Sequence, residues 1–183
     1  MHHEVKWGVR GRVLVKTVAL LLLTSLVTGC PCTYPSAEQT AKVEAALAAF
    51  AAEIGIPERD EVRTYGLLID YLKENPDIYG AAFAFAPLQA DGDASKIAPY
   101  VCREGDSFIC RTLPVSGAMD YAAMEWYTEP AATKQPYWSE PYFDRGGGNI
   151  YMVTYSIPVF TEGSSPTLAG VVTSDLPVSD GWR

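Results

Sequence analysis

From Ala37 to Ile54 the run AEQTAKVEAALAAFAAEI places Val43, Leu47, Phe50 and Ile54 three and four positions apart, one apolar stripe along a helix. Gly55 and Pro57 interrupt it. A second stretch, Glu58 to Glu74, keeps Val62, Tyr65, Leu68, Ile69 and Leu72 in helical register and stops at Asn75-Pro76. Both stripes read as amphipathic packing faces. After Asp77 the period shortens. IYGAAFAFAP alternates and is rich in aromatics, and PYVCREGDSFICRTL reads as two short strands around Gly105-Asp106. NIYMVTYSIPVF and LAGVVTSDL are longer β-prone runs separated by the turn-like TEGSSPT. Between these groups, GAMDYAAMEWYTEPAATKQPYW reads as a short helix and an irregular segment punctuated by Pro130 and Pro136. Helices first, then neighbouring strands on short turns, predict an α+β chain with an antiparallel sheet.

The N-terminal residues have a different texture. Lys6, Arg10, Arg12 and Lys16 stand against a lone Glu4, an apolar run extends from Thr17 to Val27, and the small pair Thr28-Gly29 follows. That is the charged, apolar, small-residue order of an export signal. The run is shorter than the roughly 20 residues a spanning helix needs. Of 183 residues, then, enough remain for one domain. Four of the 14 basic and one of the 22 acidic residues lie in the signal, so the remainder carries 10 against 21, a net charge of −11. Such a surface repels phosphate backbones and argues against a nucleic-acid partner. Both histidines, His2 and His3, also belong to the signal. Without the commonest general base and metal ligand, neither metal nor cofactor is expected, and enzymatic chemistry is reduced to a Ser-Lys pair drawing on Lys42, Lys73, Lys96 or Lys134.

Cys102 and Cys110 flank the Gly105-Asp106 turn with Asp106 midway, so a hairpin is expected to set them opposite one another. A cross-strand disulfide, worth about 2 to 3 kcal/mol at most for so short a loop, is the expectation in an oxidising compartment. Two reduced, buried thiols are the alternative.

Two resemblances add to this reading. LVTGC, behind its basic and apolar segments, resembles the lipobox of bacterial lipoproteins, which implies lipidation at Cys30 and an extracytoplasmic, membrane-attached protein. MEWYTEP, PYWSEPYFD, GGGNIYMVTYSIPVF and LAGVVTSDLPVSD, in that order, resemble Cache sensor domains, the PAS-like extracytoplasmic modules of chemoreceptors and histidine kinases. The implied layout is a signal peptide over residues 1–29, a lipid-anchored linker with the first helix over 30–57, and a Cache domain over 58–183. The resemblance implies a long N-terminal helix on a curved antiparallel sheet, with a helix-loop lid over a small-molecule pocket. Tyr137 to Phe160 would be the lid and its strand, turning at Gly146-Gly147-Gly148.

In relatives that bind amino acids, an arginine before the Trp-Tyr pair holds the carboxylate and an aspartate late in the last strand holds the ammonium. The matching positions here are Trp126, Tyr127, Tyr142 and Asp175, with Tyr121 near the place of a further tyrosine. The arginine's place is taken by Met124, which cannot form the paired contact a carboxylate prefers. A fixed negative charge among aromatic faces favours a cation: an amine, a quaternary ammonium, or an amino acid if Arg145 or Arg111 supplies the missing anchor. The expected role is ligand sensing without chemistry, relayed to a separate membrane signalling protein. A ligand-free structural or partner-binding lipoprotein, or a relic of a longer receptor, is the alternative.

Overall fold

The computed structural model describes residues 34–90, 93–113 and 120–179. The expected export signal over residues 1–29, with Cys30 and Cys32, lies outside the described residues. Helix α1 spans Ala37–Ile54; Ser36 and Gln39 close a reciprocal capping box at its start, satisfying two otherwise orphaned backbone donors. Helix α2 spans Glu61–Glu74 and begins three residues later than the apolar pattern suggests, because Asp60 caps it by accepting from the Val62 and Arg63 N–H groups.

The strands are β1 (Gly80–Phe85), β2 (Leu88–Ala90), β3 (Asp93–Ser95), β4 (Pro99–Glu104), β5 (Ser107–Thr112), β6 (Tyr137–Trp138), β7 (Tyr142–Phe143), β8 (Tyr151–Phe160) and β9 (Leu168–Pro177). A 3-10 turn, Tyr121–Ala123, and helix α3, Glu125–Thr133, intervene between β5 and β6. The main sheet runs β5-β4-β1-β9-β8-β6, with β7 also on β8, and its pairings are antiparallel. β2 and β3 form a separate small hairpin. This is the α+β, PAS-like arrangement expected.

Strand β1 is buried along its whole length because the sheet is covered on both sides. Phe83 and Phe85 face α1 and α2, joining Val43, Leu47, Phe50, Leu68, Leu72, Val153 and Val172 in one core. Ala82 and Ala84 face the other way, toward Tyr121, Trp126 and Tyr127. Small residues on this second face leave room for the bulky aromatics of the α3 segment.

The cysteine expectation is corrected here. The β4 to β5 turn is two residues long, so its centre falls between Gly105 and Asp106 rather than on Asp106: Cys102 pairs with Ile109, and Cys110 with Val101. Successive strand residues point to opposite faces, so the thiols emerge on opposite sides of the sheet. Both are free; Cys102 is buried on the α3 side and Cys110 is exposed. Arg103 stitches the end of α2 to the sheet, donating to the carbonyls of Leu72, Asn75 (3.2 Å) and Ile78 (2.8 Å) while stacking over Phe108.

Candidate ligand site

On the α3 side of the sheet, the middle strands and the loops above them enclose a cavity lined by Ala82, Tyr100, Leu113, Trp126, Tyr142, Asp144, Thr154, Thr173 and Asp175. Asp175 sits near the end of β9 between Gly80 of β1 and Thr154 of β8, so strands shield it on both flanks. Its carboxyl is 3 % exposed and has no ion-pair partner among the described residues. Thr154 Oγ1 donates to Asp175 Oδ1 at 2.8 Å, and Tyr142 Oη lies 2.8 Å from the same hydroxyl. A hydroxyl has one proton to give, so the order runs Tyr142 to Thr154 to the carboxylate.

Burial, then the nearby Asp144 carboxyl, pushes the Asp175 pKa up to about 8, against the smaller stabilising effects of Thr154 and Tyr100. Asp144 is also buried and its pKa raised by desolvation, tempered by the Gly148 N–H, which donates to Oδ2 at 2.5 Å, and by Arg111. Loss of solvent pushes the Tyr142 and Tyr100 hydroxyls upward too, so both stay protonated and neutral.

Two polar atoms of the lining have no hydrogen-bond partner among the described residues: Tyr100 Oη and Trp126 Nε1. The Tyr100 hydroxyl lies beside the Asp175 carboxyl and favours its charged form, yet outside hydrogen-bond geometry. A buried, unpaired polar group costs about 1 to 3 kcal/mol, so a pair in one cavity is an unusual concentration of unmet bonding capacity.

The lid is the turn from Asp144 to Ile150. Gly146 adopts φ +89°, and its N–H donates to Asn149 Oδ1 at 2.9 Å. Tyr79 donates to the Gly148 carbonyl at 3.1 Å, and Arg111 donates to the Gly147 carbonyl, so the turn is latched down. Beneath it the cavity measures about 10 Å³, space for about one water molecule. A hollow of about 420 Å³ lies on the opposite face beneath α1, between Lys42, Val43, Glu74, Asp77 and Leu176, but none of its lining atoms is a buried polar group left unpaired.

The predicted residues are thus only partly brought together. Trp126, Tyr142 and Asp175 line the cavity. Tyr127 and Tyr121 do not; they back the indole, with centroids 6.3 and 6.5 Å from it, and Tyr121 donates to the Phe85 carbonyl at 2.7 Å. Met124 is half-buried in the same aromatic cluster and precedes α3 as its cap. Arg145 is exposed, and Arg111 is engaged with the lid carbonyl, so neither stands in the lining where an arginine anchor would be. Tyr100, Asp144 and Thr154 are additions. The YFD spacing that puts Asp144 two residues after Tyr142 was available in the sequence, but Tyr100 comes from a distant strand.

The model of the methyl-accepting chemotaxis protein-like first PDC sensor domain matches residues 64–180. The chain belongs to this family. As a PDC sensor domain it shares the fold of the extracellular domain of soHK1S-Z6, assigned as a histidine kinase, at 29 % identity and TM-score 0.64, over 75 % of this chain and 53 % of that one. It is also similar to methyl-accepting chemotaxis protein X, at 20 % identity and TM-score 0.56, covering 76 % of this chain and 57 % of that one. The ligand-binding domain of the Pseudomonas aeruginosa PAO1 amino-acid chemoreceptor PctC, in complex with GABA, matches at 18 % identity and TM-score 0.50, over 75 % and 56 %. The PDC sensor domain thus spans about half the length of the solved domains it matches. No curated protein is significantly similar to it.

Proposed function

We propose that this PDC sensor domain binds a small amine-bearing ligand, an amine, a quaternary ammonium or an amino acid, in the cavity around Asp175, without chemistry of its own. The observation that carries this reading is a buried carboxyl with no ion-pair partner among the described residues, walled by Trp126, Tyr100 and Tyr142. An ammonium there would offset the desolvation and gain from the aromatic faces, about 0.5 to 2 kcal/mol for each close ring. The complexes of PctC with GABA and of Mlp24 with asparagine are fold relatives that hold amine-bearing molecules, which agrees with this choice. Because the cavity measures only about 10 Å³, the Asp144 to Ile150 turn must lift to make room for such a ligand.

The domain layout read from the sequence completes the proposal: signal peptide over 1–29, lipid-anchored linker and first helix over 30–57, sensor domain over 58–183. Lipidation of Cys30 would hold the module on the outer side of a membrane, where a separate membrane signalling protein reads its state. Metabolic labelling with a radioactive fatty acid is expected to mark the chain, and Cys30→Ser is expected to abolish the mark; label persisting in that variant would remove the anchor from the proposal.

The binding test is a thermal-shift screen of the full chain against amines, amino acids and small carboxylates. Amines are expected to raise the melting temperature, since ligand at 100 times its dissociation constant stabilises by about 2.7 kcal/mol. Asp175→Ala is expected to erase the shift. The small size of the cavity favours a second reading, a partner-binding protein with a disused pocket, and silence across all three classes would support it.

A further inference from the structure

The described lining combines two buried carboxyls, Asp144 and Asp175, with no lysine or arginine. A ligand carboxylate entering it would find no cation in the lining to pair with. At the same wall Trp126 is 4 % exposed and its Nε1–H is unpartnered among the described residues. Indole nitrogen can only donate, so an ammonium cannot satisfy it; it needs an acceptor. Tyr100, 2 % exposed and likewise unpartnered, can accept, and its hydroxyl lies beside Asp175 where an ammonium N–H would point. The unmet groups therefore describe a molecule with two ends: a cation facing Asp175 and Tyr100, and an uncharged acceptor facing Trp126.

We propose that the cavity selects amines carrying a neutral hydrogen-bond acceptor, a hydroxyl or an amide carbonyl, over plain alkylamines and over zwitterions. This rests on the amine-binding reading above and specifies the ligand class. The cation supplies the attraction common to all amines. The acceptor supplies discrimination, because a site that must leave its own donor unpaired rejects the analogue lacking the partner.

Two nearly isosteric pairs test it by titration calorimetry of the full chain at pH 7. Ethanolamine and propylamine differ by a hydroxyl in place of a methyl; glycinamide and glycine differ by an amide in place of a carboxylate. Ethanolamine is expected to bind about fivefold or more tighter than propylamine, the usual worth of one neutral hydrogen bond to an otherwise unpaired group. Glycinamide is expected to exceed glycine by at least as much. Trp126→Phe, which keeps a ring and removes the donor, is expected to bring the ethanolamine to propylamine ratio near one.

Equal binding of ethanolamine and propylamine, or tighter binding of glycine than glycinamide, overturns this selectivity while leaving the amine pocket standing. Preference for ethanolamine that survives in Trp126→Phe overturns the assignment to the indole. No heat with any of the four probes overturns both the selectivity and the pocket. The parent protein decides the ligand class by itself, so the proposal stays testable even if the variant folds poorly.

Discussion

Asp175→Asn is expected to melt at a higher temperature than the parent at pH 8, with the advantage shrinking steadily as the pH falls toward 4. In the folded protein the Asp175 pKa is pushed up to about 8 by burial and by Asp144. In the unfolded chain it titrates near 3.9. Between those values the folded state holds a proton that the unfolded chain has released, so the unfolded state binds fewer protons and stability falls as pH rises. This group's contribution is fully present below pH 4 and is lost by about pH 8, at roughly 1.4 kcal/mol per pH unit. Asparagine has no proton to lose and escapes the loss, while its side-chain oxygen can still accept from Thr154. The groups facing Asp175 are Asp144, Tyr100, Tyr142 and Thr154, and the neutral tyrosines do not titrate in this window. A bound ammonium reverses the preference by favouring the charged carboxylate, so amine binding should release a proton and weaken as the pH drops below 8. Melting curves of parent and variant at half-unit steps measure the difference directly. Parallel curves would mean that Asp175 is not the desolvated acid described here.

Gly80→Ala is expected to destabilise the protein by about 1 to 3 kcal/mol, the range for forcing a methyl into a packed interior, and to abolish ligand binding. A Cβ at Gly80 would stand 2.5 Å from Tyr100 Oη and 2.9 Å from Asp175 Oδ2. The phenol cannot retreat across the cavity, because on that side the lid comes down at Gly148, whose own Cβ position is 3.1 Å from Tyr100 Oη. The space around Asp175 therefore exists because two backbone positions lack side chains. Gly66→Ala, in the middle of α2 with open space around it, is the control. It is expected to be neutral or to stabilise by about 0.5 to 1 kcal/mol through helix propensity. Chemical denaturation of the two variants separates local crowding from a general effect of removing glycine.

Much of the architecture was legible in the sequence because it rests on local signals. The 3.6-residue stripe of α1 places the helix from Ala37 to Ile54, the range read from the pattern. Asp60, by contrast, reads as one more polar residue of a helix until its carboxyl is seen accepting two backbone N–H groups. The two-residue strands β6 and β7 are too short for any period to register, and they exist because β8 offers an edge to pair with. Trp126, Tyr142 and Asp175 came into view through the family resemblance. Tyr121 and Tyr127 came with them but act as packing behind the indole, a distinction set by where α3 lies over Ala82 and Ala84. The meeting of Tyr100 with Asp175 depends on β1 running between their strands, a long-range pairing that no window of sequence contains.

The two long helices grip the sheet in different ways. α2 is fastened by directional bonds: Arg103 to carbonyls at its end, Tyr71 Oη to Ser174 Oγ at 2.7 Å, and Thr112 Oγ1 to Glu61 Oε2 at 2.6 Å. Among the described residues α1 has the Trp138 to Glu44 bond, at 2.8 Å, and otherwise rests on Val43, Leu47 and Phe50. Apolar contact resists separation but has no preferred direction, whereas a hydrogen bond weakens steeply when its angle is spoiled. Under a shearing force parallel to its axis, α1 is therefore expected to yield before α2, whose directional bonds hold it in one register on the sheet.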